Sequence, residues 1–276
     1  LMGLSQQPLY LGFLSWFALV PLLYQIEKIH TWRSVLINGF LWGFIYHLST
    51  IFWLALNIGT SPPIAILSMV VSVLILTVNS IIILSIWYIV KKRFTYNANW
   101  GLPFIWTIIE YWRSSGTLGF SWVSLANSQT EYLTLIQNAE YVGIFGISFW
   151  IILMNVIFYN LIRKNNTGNR LITGILFSLP WITGMLIYPE TTHEDSKGIS
   201  VSIIQPNIPL QQKWYGSVSD NLDNLLQLSQ PSIDKGVDLI IWPESAIHTY
   251  LLQSGRKYLK IIQQKIGDNT SILTGI

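Results

Sequence analysis

Long apolar runs separated by short polar segments fill the chain as far as residue 188. A helix that crosses a bilayer needs about 20 consecutive, mostly apolar residues. On that basis the pattern predicts six membrane spans, of which the fourth is the shortest. They lie at 12–26, 34–56, 64–90, 100–112, 135–162 and 171–188. The segment 57–63, between the second and third spans, is rich in Gly, Ser and Pro and is typical of a turn.

After residue 189 the pattern changes to short β-branched apolar runs alternating with amphipathic segments. The runs predict strands and the amphipathic segments predict helices. The predicted elements are a strand at 199–205, a helix from Val218, a strand at 237–242, a helix at 256–266 and a strand at 271–276. Pro231 is expected to end or kink the first of these helices. The β-α-β-α-β order predicts a layered α/β domain.

The two patterns divide the chain into a transmembrane helical domain at 1–189, a polar linker at 190–198 and an α/β portion at 199–276. Composition agrees, because charged residues make up only 11% of the chain against about 25% in ordinary soluble domains. Residues 1–189 hold 9 Lys and Arg and 4 Asp and Glu, whereas residues 190–276 hold 7 and 9. About 80 residues form a small α/β sheet with an open edge, so we expect only the first part of a larger domain here.

Positive charges lie in alternate loops of the predicted membrane region. Lys28 and Arg33 follow the first span, 91–93 follows the third, and Arg163, Lys164 and Arg170 follow the fifth, while loops 57–63 and 117–134 carry no Lys or Arg. Basic loops favour the cytoplasmic side. The six-span topology therefore predicts that residues 190–276 lie on the opposite side. Basic loops beside spans also account for the net charge of +3, so no nucleic-acid partner is expected.

Some polar residues in or beside the predicted spans need more than contact with lipid. Glu110 and Arg113 are three residues apart and share a helix face. Charged groups at membrane depth are costly and usually paired, which leaves two interpretations: a gate or lipid-headgroup contact, or an ion pair at the interface where the helix ends. His47, in the middle of the second span, is expected to bond a neighbouring helix.

Glu244 is the strongest candidate for chemistry. It follows the predicted strand 237–242 after Pro243, and active sites of open α/β sheets collect at the carboxyl ends of strands. Partial burial beside Trp242 would favour a general-base role. A carboxylate at a helix N-terminus, or one that holds a loop, is the structural alternative. The chain contains no Cys, which excludes disulfides, metal thiolates and a Cys nucleophile within these residues, and no cofactor is expected.

The sequence around Glu244 resembles a known family. Trp242-Pro243-Glu244-Ser245 is similar to the glutamate motif of the carbon–nitrogen hydrolase (nitrilase) superfamily. With the upstream segment 204–209 and Lys213-Trp214, it resembles apolipoprotein N-acyltransferase. The membrane half agrees at Glu110-x-x-Arg113, 119–122, 127–129 and 137–149. The resemblance covers nearly the whole chain and keeps the order of the motifs.

The resemblance implies a polytopic bacterial inner-membrane protein with a periplasmic nitrilase-like domain between its seventh and eighth helices. The six predicted spans would correspond to helices two to seven, so the first helix, the last helix and the second half of the catalytic domain would lie outside this sequence. The implied activity transfers an acyl chain from a phospholipid donor to the N-terminal amine of a diacylated apolipoprotein, through a thioester on a Glu-Lys-Cys triad.

Within the implied site, Glu244 matches the catalytic Glu, and Trp214 matches a Trp of the family's substrate-facing arm, as a hydrophobic anchor or as ordinary packing. The resemblance places the Lys and the Cys beyond Ile276, and Lys257, Lys260 and Lys265 are not counterparts. Leu210 stands where many members have Gln. Without a nucleophile, the chain by itself is expected to be inactive.

Two other functions stay open at the level of sequence. One is a non-catalytic membrane scaffold or transporter-like protein with a degenerate nitrilase-like ectodomain, although no internal repeat of the kind found in transporters is visible. The other is a membrane-bound amidase, which differs in hydrolysing its substrate instead of transferring the acyl group.

Overall fold

The computed structural model describes residues 1–94, 98–116, 119–163, 167–188, 198–208, 217–244, 246–247, 249–267 and 269–275. The chain divides into two compact units, Leu1–Glu190 and Thr191–Ile276. The predicted linker at 190–198 lies outside the described residues except for Gly198. The first unit is helical in its described parts, and the second contains a parallel sheet.

The helical unit contains seven α-helices among the residues that are described. They are α1 (Val20–Glu27), α2 (Trp32–Ile51), α3 (Pro62–Arg93), α4 (Leu102–Ser114), α5 (Leu133–Ile136), α6 (Ala139–Arg163) and α7 (Thr167–Ile187). Short 3-10 turns at Gly3–Ser5, Gly12–Trp16, Phe52–Leu56, Ala98–Gly101 and Leu125–Gln129 connect or extend them. The large core includes Leu19, Trp87, Leu102, Ile151 and Tyr159, all almost fully buried.

Four helical segments are long and apolar enough to cross a membrane: Trp32–Leu56, Pro62–Arg93, Ala139–Arg163 and Thr167–Ile187. They match the second, third, fifth and sixth predicted spans. The other two predictions were wrong as full-length spans. The region of the first span is a 3-10 turn followed by the 8-residue α1, which has Pro21 in its first turn. The fourth region forms the 13-residue α4, about 20 Å long, against a hydrocarbon core of about 30 Å.

Charged side chains meet at one end of the helical unit. Arg163, at the end of α6, donates to both carboxylate oxygens of Glu27 at 2.7 and 2.6 Å. Lys91, in the last turn of α3, donates to the backbone carbonyls of Glu27 at 2.6 Å and of Ile29 at 3.0 Å. The ends of α1, α3 and α6 are thus tied together by Glu27, Lys91 and Arg163, which we call the charged rim.

Both α6 and α7 are interrupted. Gly143 has φ 64° and ψ 178°, outside the helical region, so α6 breaks one turn after it begins. Glycine accepts this positive φ without the steric cost that a side chain would bring. Pro180 lies inside α7, where its ring removes a helical hydrogen bond. The carbonyl of Pro180 accepts a 2.7 Å hydrogen bond from the side-chain amide of Asn138.

The second unit has the predicted β-α-β-α-β order. It consists of β1 (Val201–Ile203), α8 (Val218–Asp234), β2 (Leu239–Ile241), α9 (Arg256–Ile266) and β3 (Ser271–Leu273). The strands form one parallel sheet in the order β1-β2-β3, with Ser202 opposite Ile240 and Ile240 opposite Ile272. Leu225, Ile240 and Ile262 are among the residues that form its core.

The helix α8 does not end at Pro231 but continues to Asp234. Pro231 leaves the carbonyl four residues earlier, on Gln227, without its usual helical partner. Both residues are exposed, so water can satisfy that carbonyl and the helix can continue. The exposed face of α8 therefore tolerates a proline that its buried face would not.

Candidate functional site

Glu244 lies at the carboxyl end of the middle strand of the sheet. β2 ends at Ile241, and Trp242-Pro243 carries the backbone past the sheet edge. The strand exit is fixed on both sides, because Ile204 donates from its backbone amide to the carbonyl of Ile241 and Trp242 donates to the carbonyl of Leu273, both at 2.9 Å. Because the strands are parallel, their three carboxyl ends share this edge.

Trp242 sets the direction in which the chain leaves the sheet. Its side chain is 2% exposed, and its indole Nε1 donates a 2.9 Å hydrogen bond to Oγ of Ser229 on α8. Ser229 in turn donates to the carbonyl of Leu225 at 2.7 Å. A buried indole anchored to a helix leaves little freedom to the backbone that follows, which includes Glu244.

Glu244 itself is exposed. The expectation of partial burial beside Trp242 was wrong, because Trp242 turns into the core while Glu244, beyond the intervening Pro243, lies at the surface. Within the described part of the chain, Glu244 makes no hydrogen bond or ion pair. Gly275, which follows β3, lies beside it: a Cβ at position 275 would come within 3.0 Å of the Glu244 Cα. A residue with a side chain there would crowd the backbone of Glu244 and the base of its side chain.

The other predicted residues of this site are not assembled around Glu244. Trp214, Lys213 and Leu210 fall in 209–216, outside the described residues. Lys257, Lys260 and Lys265 are exposed on α9, and none of them is bonded to Glu244. The described structure therefore shows one available carboxylate at the strand edge and leaves the role of Trp214 untested.

A second polar site lies inside the helical unit, around Glu110 on α4. Glu110 is 2% exposed. Its Oε1 accepts a 2.8 Å hydrogen bond from the backbone amide of Leu125, and its Oε2 accepts a 3.2 Å bond from the hydroxyl of Ser124. Arg113 is looser, with Nη2 3.7 Å from Glu110 Oε1. The carboxylate therefore holds the start of the 3-10 turn Leu125–Gln129, in addition to pairing with Arg113.

The sequence did not single out the partners of Glu110. Ser124 also bonds Ser148 on α6, hydroxyl to hydroxyl at 3.2 Å, and Ser148 accepts from the amide of Ala126 at 3.1 Å. His47 contacts the neighbouring helix as predicted, with its Nε2 3.4 Å from the hydroxyl of Ser80 on α3. Serines are common in membrane helices, so a serine in the sequence does not by itself indicate a polar site. The available signal was Glu110, a buried charge that requires several donors.

Two amides, also not singled out, fix the broken segment before α1. The side chain of Asn155 on α6 accepts from the amide of Leu19 at 2.8 Å and donates to the carbonyl of Ser15 at 2.7 Å. Gln129 donates to the carbonyl of Gly12 at 3.0 Å and accepts from the indole of Trp16 at 3.0 Å. Non-helical backbone at membrane depth needs such partners. These amides explain how the first predicted span remains irregular inside the helical unit.

The sequence of this chain is similar to that of known proteins. The profile of the apolipoprotein N-acyltransferase N-terminal domain matches residues 1–157. Among curated proteins, the chain is similar to the apolipoprotein N-acyltransferase of Chlorobaculum tepidum, at 27% identity over 95% of this chain and 50% of the relative. The Thermotoga maritima protein of the same name is 25% identical over 99% of this chain and 54% of the relative.

A third relative of that name, from Pseudomonas aeruginosa, is 32% identical over 62% of this chain and 34% of its own length. The chain thus spans about half the length of the first two relatives. The similarity includes the helical unit and, in the two longer matches, the α/β unit.

Proposed function

The chain belongs to the apolipoprotein N-acyltransferase family, and from that premise we propose that it provides the membrane region and the general base of an enzyme that completes lipoprotein maturation. The reaction moves an acyl chain from a phospholipid to the α-amino group of a diacylglyceryl-cysteine at the N-terminus of an apolipoprotein. The α/β unit is then the first part of a nitrilase-like catalytic domain, and 190–198 is the linker that joins it to the membrane domain 1–189.

In this proposal Glu244 is the base. It removes the proton from a Cys thiol, and the thiolate attacks the ester carbonyl of the phospholipid, with a Lys stabilising the oxyanion. The lysophospholipid alkoxide leaves with the proton from Glu244, and a thioester remains on the Cys. The lipoprotein amine then attacks the thioester and gives its proton to Glu244, which returns it to the departing thiolate. Trp214 is proposed as a hydrophobic contact for a lipid chain.

The proposal rests on the surroundings of Glu244. A carboxylate that makes no bond to the described residues, is exposed, and stands at the carboxyl edge of a parallel sheet is available to accept a proton. Its neighbours are rigid, because Trp242 is buried and bonded to Ser229. By contrast, a carboxylate whose purpose was to hold a loop would be expected to be bonded, as Glu110 is.

The charged rim supports a cytoplasmic side for the ends of α1, α3 and α6. α3 and α6 both end at the charged rim. If α6 spans the membrane, it begins on the side opposite the rim. The chain must then cross between residues 94 and 138, where α4 is the longer of the two α-helices among the described residues. With α7 crossing last, residues 190–276 lie on the far side of the membrane, which we propose to be the periplasmic side of a bacterial inner membrane.

The test uses the full-length product of the gene, because the chain spans about half the length of its relatives. Its remaining sequence is expected to contain the Lys and the Cys, which reading the gene past codon 276 checks directly. Replacing Glu244 by Gln should lower thioester formation and lipopeptide acylation by about 10²–10⁴-fold, the usual contribution of a positioned base. Acyl-enzyme is measured by mass spectrometry after incubation with phospholipid.

The matched control is Asp223→Asn, another exposed carboxylate of the same unit, on α8, which should leave the rate unchanged. Normal acyl-enzyme accumulation in Glu244→Gln would refute the role of Glu244 as base. Release of free fatty acid without transfer to a diacylated lipopeptide would instead identify a hydrolase.

A further inference from the structure

A cavity of about 360 Å³ lies between the broken parts of α6 and α7. Residues of both helices line it, together with Trp16 and Leu135. The lining includes Val142, Gly146 and Trp150 from α6 and Leu179, Pro180 and Thr183 from α7. The break at Gly143 and the internal Pro180 occur in the stretches that line the cavity. Two interrupted helices cannot pack continuously along their length, which accounts for the space between them.

The walls of the cavity are mainly apolar. Two polar side chains at its lining are hydrogen-bonded within the protein: the Thr183 hydroxyl lies 2.6 Å from Oδ1 of Asn138 and 2.9 Å from the carbonyl of Leu179, and Asn138 donates to the carbonyl of Pro180. Water in a cavity needs two to four polar partners, and apolar cavities stay dry. The lining therefore offers water too few partners and favours apolar contents.

The cavity is large and reaches the surface of the helical unit. An engineered apolar cavity of about 150 Å³ is enough to bind benzene, and this one has more than twice that volume. Val142 and Leu179, which line it, are 55% and 42% exposed. Both belong to helices long and apolar enough to span the membrane, so their exposed faces meet lipid tails and not water. Of the molecules that reach such an opening in a bilayer, phospholipid tails are by far the most abundant.

The position of the cavity along α6 indicates which leaflet of the bilayer the cavity faces. About 25 Å of helix separate Gly146 from Arg163 at the charged rim, at 1.5 Å per residue. The cavity therefore lies in the half of the helical unit away from the rim. Trp150 adds one further feature, because its indole Nε1 is buried and has no hydrogen-bond partner among the described residues. A lipid ester carbonyl is an acceptor of the type that this donor lacks.

We propose that the cavity between α6 and α7 holds one acyl chain of a membrane phospholipid, taken from the leaflet opposite the charged rim. The site is separate from Glu244. It depends on the spanning helices α6 and α7 and not on acyl transfer, so the outcome of the Glu244→Gln experiment leaves it unaffected.

The experiment places the full chain in nanodiscs of phosphatidylethanolamine and phosphatidylglycerol with a trace of a phospholipid that carries a diazirine in the middle of one acyl chain. After illumination, mass spectrometry of peptides locates the lipid adducts. In the unaltered chain, adducts should concentrate in 142–150 and 179–183. Filling the cavity by Val142→Phe should lower the adduct yield in 179–183 several-fold.

Ile144→Phe is the matched control. Ile144 is an exposed apolar residue of the same helix, two positions away, and does not line the cavity, so this variant should label like the unaltered chain. Leu179→Phe fills the cavity from α7 and replaces Val142→Phe if the latter does not fold, as judged by size-exclusion chromatography. Trp150→Phe should reduce labelling less than either, because it removes a hydrogen-bond donor and keeps an apolar ring.

Three results would overturn the proposal. Adducts could spread evenly over the lipid-facing sides of α3, α6 and α7, which would mean that the cavity holds no particular chain. Val142→Phe and Ile144→Phe could give the same labelling. In the full-length gene product, cavity peptides could be shielded from lipid and cross-link to another protein segment, which would identify a helix as the occupant.

Discussion

Two glutamates, one in each unit, show opposite relations to their surroundings. Glu110 in the helical unit is 2% exposed and accepts hydrogen bonds from Leu125 and Ser124, with Arg113 nearby. Glu244 in the α/β unit is exposed and makes no bond to any described residue. In an apolar region a charge left unpaired costs several kcal/mol, so the surroundings of Glu110 had to supply donors. Water can solvate Glu244, so its carboxylate needs no protein partner and is free to react.

The same contrast extends to the neutral polar groups. The helical unit buries Asn155 and Gln129, and both bond to backbone groups of the irregular segment before α1. In the α/β unit the buried polar side chain nearest to the candidate site, Ser229, holds Trp242 in place. Buried polar groups thus support structure in both units, whereas the candidate base Glu244 makes no bond to the described residues.

The sharpest test of this comparison replaces Glu110 by Ala. The change leaves Arg113 without its partner and the amide of Leu125 without an acceptor, so the free energy of unfolding should fall by about 3–5 kcal/mol, as for other broken buried pairs. Thermal unfolding in detergent micelles measures the loss. Glu140→Ala is the control in the same unit, since Glu140 is exposed, and should change stability by less than about 0.5 kcal/mol. Equal losses of stability in Glu110→Ala and Glu140→Ala would contradict the structural role given to Glu110.

A smaller effect is expected at Trp242. Trp242→Phe keeps most of the buried ring but removes the Nε1 donor to Ser229, so the α/β unit should lose about 1 kcal/mol. Hydrogen exchange of the β2 and β3 amides, read by mass spectrometry, reports this unit without interference from the helices. Ser229→Ala removes the same bond from its other partner. If the two changes are fully additive in the double variant, the bond does not contribute, and another contact fixes the approach to Glu244.

The smallest effect concerns Asp238, an exposed carboxylate that is bonded. It accepts from the backbone amide of Ser200 at 2.6 Å and from the Ser200 hydroxyl at 2.7 Å, and these bonds hold the pKa of Asp238 below its usual value. The stabilisation is therefore present above the unfolded pKa of about 3.9 and is lost as pH falls through the lower folded pKa. Asp238→Asn should reduce the unfolding temperature slightly at pH 6, and the reduction should shrink as pH is lowered towards 2 and the carboxylate of the unaltered protein is protonated. A difference that grew in acid would contradict the assignment.

Hydropathy predicted the second, third, fifth and sixth spans because each is a continuous apolar run longer than the bilayer requires. It misjudged 12–26 because it counts apolar residues without asking whether the backbone stays helical, and it misjudged 100–112 because the helix there has only 13 residues, fewer than the about 20 that a bilayer requires. Gly12 and Pro21 flank the irregular segment, whose backbone is satisfied by Asn155 and Gln129 from distant sequence. Such long-range partners leave no local pattern to recognise.

In the α/β unit the periodicity of α9 gave its bounds correctly, since four of its apolar positions recur at helical spacing and Gly267 ends it with a φ of 75°. The position of Glu244 at a strand end was also predicted. Its exposure was not, because sequence cannot show which side of the sheet edge the chain takes after Pro243. That direction depends on the bond between Trp242 and Ser229, which are 13 residues apart and on different elements.

The shortness of α4 has a consequence for the surrounding bilayer. Its outer face presents Phe104, Ile108, Tyr111 and Trp112, each about 60% exposed, over about 20 Å of helix, whereas the neighbouring α3 has 32 residues and a length of about 48 Å. The hydrophobic thickness therefore differs sharply from one side of the protein to another. If α4 crosses the bilayer as proposed, lipids beside it have to thin while α3 has to tilt, at a cost of fractions of a kcal/mol per Å of mismatch. Lipid packing should therefore be less regular along α4 than along the longer helices of the same unit.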